Sequence, residues 1–142
     1  MFEYAPAPES TAVVDIAAHY GLFIDGTFVD TIDGTTFKTV NPATEEVLSE
    51  ITEAGAADVE RAVKAARAAY KQTWSKLPGR ERAKYLYRIA RIIQERSREL
   101  AVLETLDTGK PIRESRDVDL PLVAAHFFYH AGWADKLGHA GY

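Results

Sequence analysis

The sequence predicts an α/β chain, in which a small antiparallel β-sheet is followed by about four helices. Three observations carry that expectation. Apolar and β-branched residues flank an Asp25-Gly26 pair, and a second set flanks Asn41-Pro42. From Ala56 onward the apolar spacing then changes from two residues to about 3.6.

Residues 1–10 contain Pro6 and Pro8 and read as a loose leader. Residues 11–19 (TAVVDIAAH) are expected to make two helical turns, so that 1–20 is a flexible leader or short helix. The first hairpin pairs Leu22-Phe23-Ile24 with Thr27-Phe28-Val29. A two-residue Asp-Gly loop suits a type I′ turn, because both central positions need positive φ. Thr36 to Val40 and Val47 to Ile51 form the second strand pair, joined by Asn41-Pro42-Ala43-Thr44. All four strands are expected in one antiparallel sheet.

The first helix is expected to bury Val59, Ala62, Val63, Ala66 and Ala69. Asp58 and Glu60 lie in its first turn, where the helix dipole favours carboxylates. Pro78-Gly79 breaks the chain. A second helix follows with Leu86, Ile89, Ala90 and Ile93 as its buried stripe, and its solvated side carries Arg82, Lys84, Arg88, Arg91 and Arg96. Ser97 is placed as the cap of a third helix bearing Leu100, Leu103 and Leu106. Gly109 and Pro111 end it, since glycine accepts the left-handed position and proline cannot continue a helix. The fourth helical region runs from about Arg113 to Asp135. Pro121 predicts a kink or restart there, with Asp119 as the N-cap and Pro121 in the new first turn.

With 142 residues the chain can build one core, and its 46% apolar and 27% charged composition is that of an ordinary soluble domain. The net charge of −4 gives no basic surplus for nucleic acid or an anionic membrane. The absence of cysteine removes disulfides, thiolate zinc sites and thiol nucleophiles together. No apolar run approaches the ~20 residues that span a bilayer, and the acidic, proline-containing start does not read as a signal peptide. The expectation is a cytoplasmic chain with no nucleic-acid or membrane partner.

His126 and His130 stand at i and i+4, a spacing that can aim two imidazoles at one metal. No glutamate follows His126, so the metalloprotease pattern fails, and a third ligand would have to be Asp135 or His139. The intervening Phe127-Phe128-Tyr129 favours an aromatic packing segment. Thr108-Gly109-Lys110 looks like the end of a phosphate loop, but the leading glycine is absent and Pro111 replaces the hydroxyl residue, so a helix C-cap is the better reading. There is no GxGxxG after a strand. Asp117 and Asp119 read as dipole partners or caps at a helix start. These residues alone yield no active site. The run Phe127, Phe128, Tyr129 and Trp133 suggests a surface made to pack on something further.

Six stretches together resemble the aldehyde dehydrogenase superfamily. In order they are Leu22–Val29 (LFIDGTFV), Thr39–Val47 (TVNPATEEV), Asp58–Tyr70 (DVERAVKAARAAY), Arg82–Arg96, Leu103–Pro111 (LETLDTGKP) and Tyr129–Lys136 (YHAGWADK). Family members are several times longer. The resemblance implies that residues 21–142 are the N-terminal part of the cofactor-binding domain of an NAD(P)-dependent enzyme that oxidises an aldehyde to a carboxylic acid. It implies that the rest of the dehydrogenase chain is the partner and that the full-length enzyme is a homo-oligomer.

In the family a Cys thiolate attacks the aldehyde, a Glu activates water, and an Asn side chain with a backbone N–H holds the oxyanion. This sequence has no Cys, and its single Asn is Asn41, in a turn. No catalytic or cofactor-binding residue is therefore carried over: NAD or NADP would bind outside this segment, and the segment alone should be inactive. Two features do carry over. A structural cation is implied near the Thr39 or Val40 carbonyl and the Asp107 carboxylate, oxygen ligands that suit a hard ion; the alternative is that Asp107 hydrogen-bonds the Gly109 turn. Val118 and Leu122 match positions lining the substrate tunnel, with ordinary core packing as the alternative. His130 stands where many members have Tyr. A non-catalytic module that docks or self-associates through the aromatic end is the rival reading.

Overall fold

Backbone hydrogen bonding in the first half of the chain is divided between two separate sheets. The computed structural model describes residues 9–137. Strands β2 (Leu22–Ile24) and β3 (Thr27–Val29) form an antiparallel hairpin pairing Leu22 with Val29 and Ile24 with Thr27. Its loop has φ 54° at Asp25 and 83° at Gly26, the two consecutive positive values that a type I′ turn requires. Phe23 and Phe28 stack across the hairpin with ring centroids 5.1 Å apart.

The other sheet has the order β1-β5-β4, built from β1 (His19–Tyr20), β5 (Val47–Thr52) and β4 (Thr36–Val40). β4 and β5 are antiparallel, and a bulge sets Thr39 opposite Ser49 but Val40 opposite Val47. Their turn is stabilised by the Asn41 Oδ1, which accepts the Ala43 N–H at 2.9 Å, and by a left-handed Glu45 (φ 61°). β1 runs parallel to β5. The expected single antiparallel sheet is thus two sheets, one of them mixed. The expected helical turns over 11–19 reduce to one 3-10 turn, Thr11–Val13, capped by Ser10. The chain then extends because the Ser49 hydroxyl donates to the Ala17 carbonyl (2.8 Å) and the Glu50 N–H donates to that of Ala18 (3.0 Å). Long-range pairing overrides a weak local helix preference there.

Among the described residues five α-helical pieces follow: α1 (Ala56–Gln72), α2 (Gly79–Glu95), α3 (Ser97–Thr108), the short α4 (Ile112–Glu114) and α5 (Leu120–Trp133). α4 and α5 are joined by a π turn over Ser115–Asp119, in which the Leu120 N–H donates to the Ser115 carbonyl. This π turn is the form taken by the kink expected before Pro121. The Asp119 side chain does not cap α5. It sits in helical backbone, and its carboxylate is taken by Lys110. Ser97 is not a cap either: it is the first residue of α3, because the chain passes from α2 to α3 through Arg96 alone. Arg96 reaches forward to Glu99, Nε to Oε2 at 2.9 Å.

The core is made mainly of small side chains. Ala83 and Ala90 on α2 and Ala124 and Ala131 on α5 are buried where these helices pack together, with Leu120 beside them. Small residues allow the close approach. On α3 the buried residues are Ala101 and Val102, while Leu103 of the expected stripe is exposed. On α2, Ala90 is fully buried but Ile89 is 41% exposed. α1 departs furthest from expectation. Its only well-buried residue is Asp58, and Val59 and Val63 are 53% and 51% exposed. Periodicity marks a face that will be covered, without saying by which part of a protein. Among the described residues, no helix is long and apolar enough to cross a membrane.

Gly109 ends α3 with φ 74°, donating its N–H to the Thr105 carbonyl at 3.0 Å. A Cβ there would lie 2.8 Å from Cγ of Pro42, in the β4–β5 turn. Gly109→Ala is therefore expected to lose about 1–2 kcal/mol from left-handed strain alone, with the Pro42 contact adding to it. A urea midpoint unchanged from wild type would show that this close approach is not formed.

Candidate functional site

A groove of about 750 Å³ lies between the mixed sheet and α3. Its lining includes the apolar Ile16, Phe37, Leu48, Leu100 and Leu103 and the charged Glu99, Glu104, Asp107 and Arg96. Leu100 and Leu103, two of the three leucines expected on the buried stripe of α3, line this groove, whereas Leu106 does not.

Thr39 and Asp107 both line this groove, although they are far apart in sequence. Val40, named for its backbone carbonyl, follows Thr39 on β4 with its side chain exposed. Asp107 does not tie down the Gly109 turn. The Thr108 hydroxyl does so, accepting the Lys110 N–H at 3.2 Å and donating to the Glu104 carbonyl at 2.7 Å. Among the described residues, no hydrogen bond or ion pair engages the Asp107 carboxylate. Oxygen donors of the type a hard cation takes therefore stand on the two walls of the groove, Thr39 on β4 and Asp107 on α3.

Val118 lies within the π turn and Leu122 in the first turn of α5; both are about half exposed, so neither belongs to the core of the described residues. Leu122 borders a shallow apolar pocket with Ala125, His126, Tyr129 and His130. The two imidazoles share a face, with near-parallel rings and centroids 6.4 Å apart. Asp135 pairs with Lys136 at 2.9 Å, and His139 lies outside the described residues. Among the described residues, no group of three His, Cys, Asp or Glu is placed to hold a metal.

Sequence reasoning missed an ionic cluster under the π turn. Lys110 Nζ donates to Glu104 Oε1 and to Asp119 Oδ2, both at 2.6 Å. These two carboxylates, Asp119 first, hold the ammonium well above its ordinary range. Arg116 clasps Asp117 at 2.7 and 3.0 Å and reaches Glu9 at 3.4 Å. No regular spacing joins Lys110 to residues six before and nine after it, so the pattern offered no signal.

The model of the aldehyde dehydrogenase family matches residues 28–141. The chain belongs to the aldehyde dehydrogenase family. It is 49% identical over 117 residues to DhaS of Bacillus subtilis, named as an aldehyde dehydrogenase; the match covers 82% of this chain and 24% of that one. It is 46% identical over 121 residues to a mitochondrial family 2 aldehyde dehydrogenase of Arabidopsis thaliana, covering 84% and 22%. The aldehyde dehydrogenase of Bacillus cereus, solved as an NAD⁺ complex, superposes with a TM-score of 0.81 at 43% identity, covering 84% of this chain and 24% of that one. The chain thus spans about a quarter of the length of the aldehyde dehydrogenases it matches.

Proposed function

We propose that residues 21–142 are the N-terminal part of the cofactor-binding domain of an NAD(P)-dependent aldehyde dehydrogenase that oxidises an aldehyde to a carboxylic acid. One observation carries this: a match over 82% and 84% of this chain to dehydrogenases of which it covers about a quarter, one of them solved with NAD⁺. A cytoplasmic location, a homo-oligomeric full-length enzyme and use of either NAD or NADP complete the reading.

The chain's own residues then have supporting roles. Asn41 serves as a turn residue in this reading, its Oδ1 accepting the Ala43 N–H at 2.9 Å. No cysteine is present to act as the nucleophile. The nicotinamide cofactor, bound by later residues, supplies the hydride acceptor. A cation at the groove would be held by the Asp107 carboxylate and the Thr39 or Val40 carbonyl, tying α3 to β4. Val118 and Leu122 would line the aldehyde entrance, and apolar side chains there favour apolar aldehydes.

The exposed Phe23, Phe28, Val59, Val63, Tyr129 and Trp133 support apolar surfaces covered by the remainder of the dehydrogenase. The rival reading, a non-catalytic docking or self-association module, draws on the aromatic end of α5, Tyr129 and Trp133. The purified 142-residue chain is expected to reduce neither NAD nor NADP in the presence of aldehydes, whereas a longer chain carrying this segment should do so. Sustained cofactor-dependent turnover by the 142 residues alone would overturn the assignment of catalysis to other residues. A stable homomeric complex in sedimentation, with no activity in any longer chain, would favour the docking module.

A further inference from the structure

We propose that Lys110 is a positioning residue for aldehyde selection, fixing the π turn that presents Val118 and Leu122; this rests on the reading of those two side chains as an entrance. A π turn holds one more residue than an α turn and is seldom stable without outside support. Here the support is ionic. Ser115, fully buried, begins the turn 3.4 Å from the Thr105 hydroxyl. Asp119 ends it, gripped by Lys110.

The Lys110 backbone is itself fixed between the left-handed Gly109 and Pro111. Its side chain is only 35% exposed and bridges two carboxylates, one on α3 and one on the turn. Charge-assisted bonds shielded in this way are stronger than surface pairs. Without the ammonium, Glu104 and Asp119 face each other as like charges and push the turn from α3. If the turn then relaxed to α geometry, losing its extra residue would rotate the flanking faces by about 100° relative to each other. The orientation of Val118 relative to Leu122 would change with it.

The test uses the longer dehydrogenase chain carrying this segment, with acetaldehyde and octanal as the two probes. Lys110→Met is expected to lower kcat/KM for octanal relative to acetaldehyde by about fivefold or more, the size of effect one misplaced apolar contact produces. KM should change more than kcat, because bound aldehyde still meets intact chemistry. Hydrogen exchange at the Leu120 amide should accelerate, and Lys110→Arg, which keeps the charge, should restore both readouts. Should Lys110→Met fail to accumulate as folded protein, Asp119→Asn loosens the same pin from the other side and carries the same expectation. An octanal-to-acetaldehyde ratio within about twofold of an active wild type would overturn the inference and leave the enzyme assignment standing. A wild-type chain that oxidises no aldehyde overturns the enzyme assignment, and this inference with it.

Discussion

Gly79→Ala is expected to destabilise the chain by about 3 kcal/mol, the upper part of the usual range for overpacking. Helix propensity alone argues the opposite sign, since alanine gains up to about 1 kcal/mol over glycine within a helix. The decision comes from what a Cβ would meet. It would lie 2.1 Å from the Ala134 carbonyl oxygen, 2.8 Å from its carbon and 2.8 Å from Asp135 Cα. All three are backbone atoms, so no rotamer change relieves the clash. The start of α2 would have to lift off the end of α5, and that motion opens the seam in which Ala83, Ala90, Ala124 and Ala131 are buried. Urea denaturation should show a lower midpoint with little change in slope. Arg80→Ala, one residue on and 78% exposed at the side chain, should stay within about 0.5 kcal/mol of wild type. If the two variants denature alike, α2 and α5 do not meet as described.

The features legible in the sequence are those a few adjacent residues decide. Asp25-Gly26 needs two positive φ values, and few other residue pairs supply them without strain. Gly109 before Pro111 ends a helix for equally local reasons. The β1–β5 pairing was not legible, because it joins His19 to Glu50 and leaves no trace in either short segment. The two hairpins carry the same local signature, and nothing in that signature says whether they share a sheet. Pro121 announced an interruption, since it lacks an N–H to continue the ladder. That the interruption is a π turn depends on Lys110 reaching Asp119, which is a tertiary fact.

The candidate site follows the same division. Val118 and Leu122 could be named from their place in a family pattern, but their exposure could not, because burial depends on what the rest of a protein brings. The same holds for Val59 and Val63, apolar at helical spacing and yet half exposed in this chain. Asp107 and Thr39, candidate ligands of a cation with the Val40 carbonyl as the alternative to Thr39, both line one groove. The geometry removes the competing role for Asp107, since Thr108 closes the Gly109 turn. Asp58 was read as a partner of the helix dipole, which understates it. It is the N3 residue of α1 and also the anchor for a loop more than twenty residues earlier, a role no local pattern can show.

Asp58→Asn is expected to lower Tm by roughly 5–10 °C, with the loss confined to pH above the acid range. The carboxylate is 1% exposed and serves three donors: the Thr31 hydroxyl at 2.5 Å, the Ile32 N–H at 3.2 Å and the Gly55 N–H at 3.2 Å. An amide has one acceptor oxygen for these, and its NH₂ would turn donors toward donors. The Thr31 hydroxyl does most to hold the Asp58 carboxyl below its ordinary pKa of 3.8; burial opposes it, and the Gly55 and Ile32 N–H groups add to the lowering. A carboxylate whose pKa is depressed by folding contributes stability that is complete above its unfolded pKa and disappears as pH falls through the folded one. The stability difference between wild type and Asp58→Asn should therefore be constant from neutral pH to about pH 5 and shrink below about pH 4. Glu9, Glu81, Glu99 and Asp117 are also lowered by their basic partners, so both proteins will weaken in acid, and only the difference between them reports Asp58. A difference that persists undiminished at low pH would mean that the side chain holds the 31–33 loop by shape instead of charge. A difference near zero at neutral pH would mean that α1 and this loop are not joined through Asp58 at all.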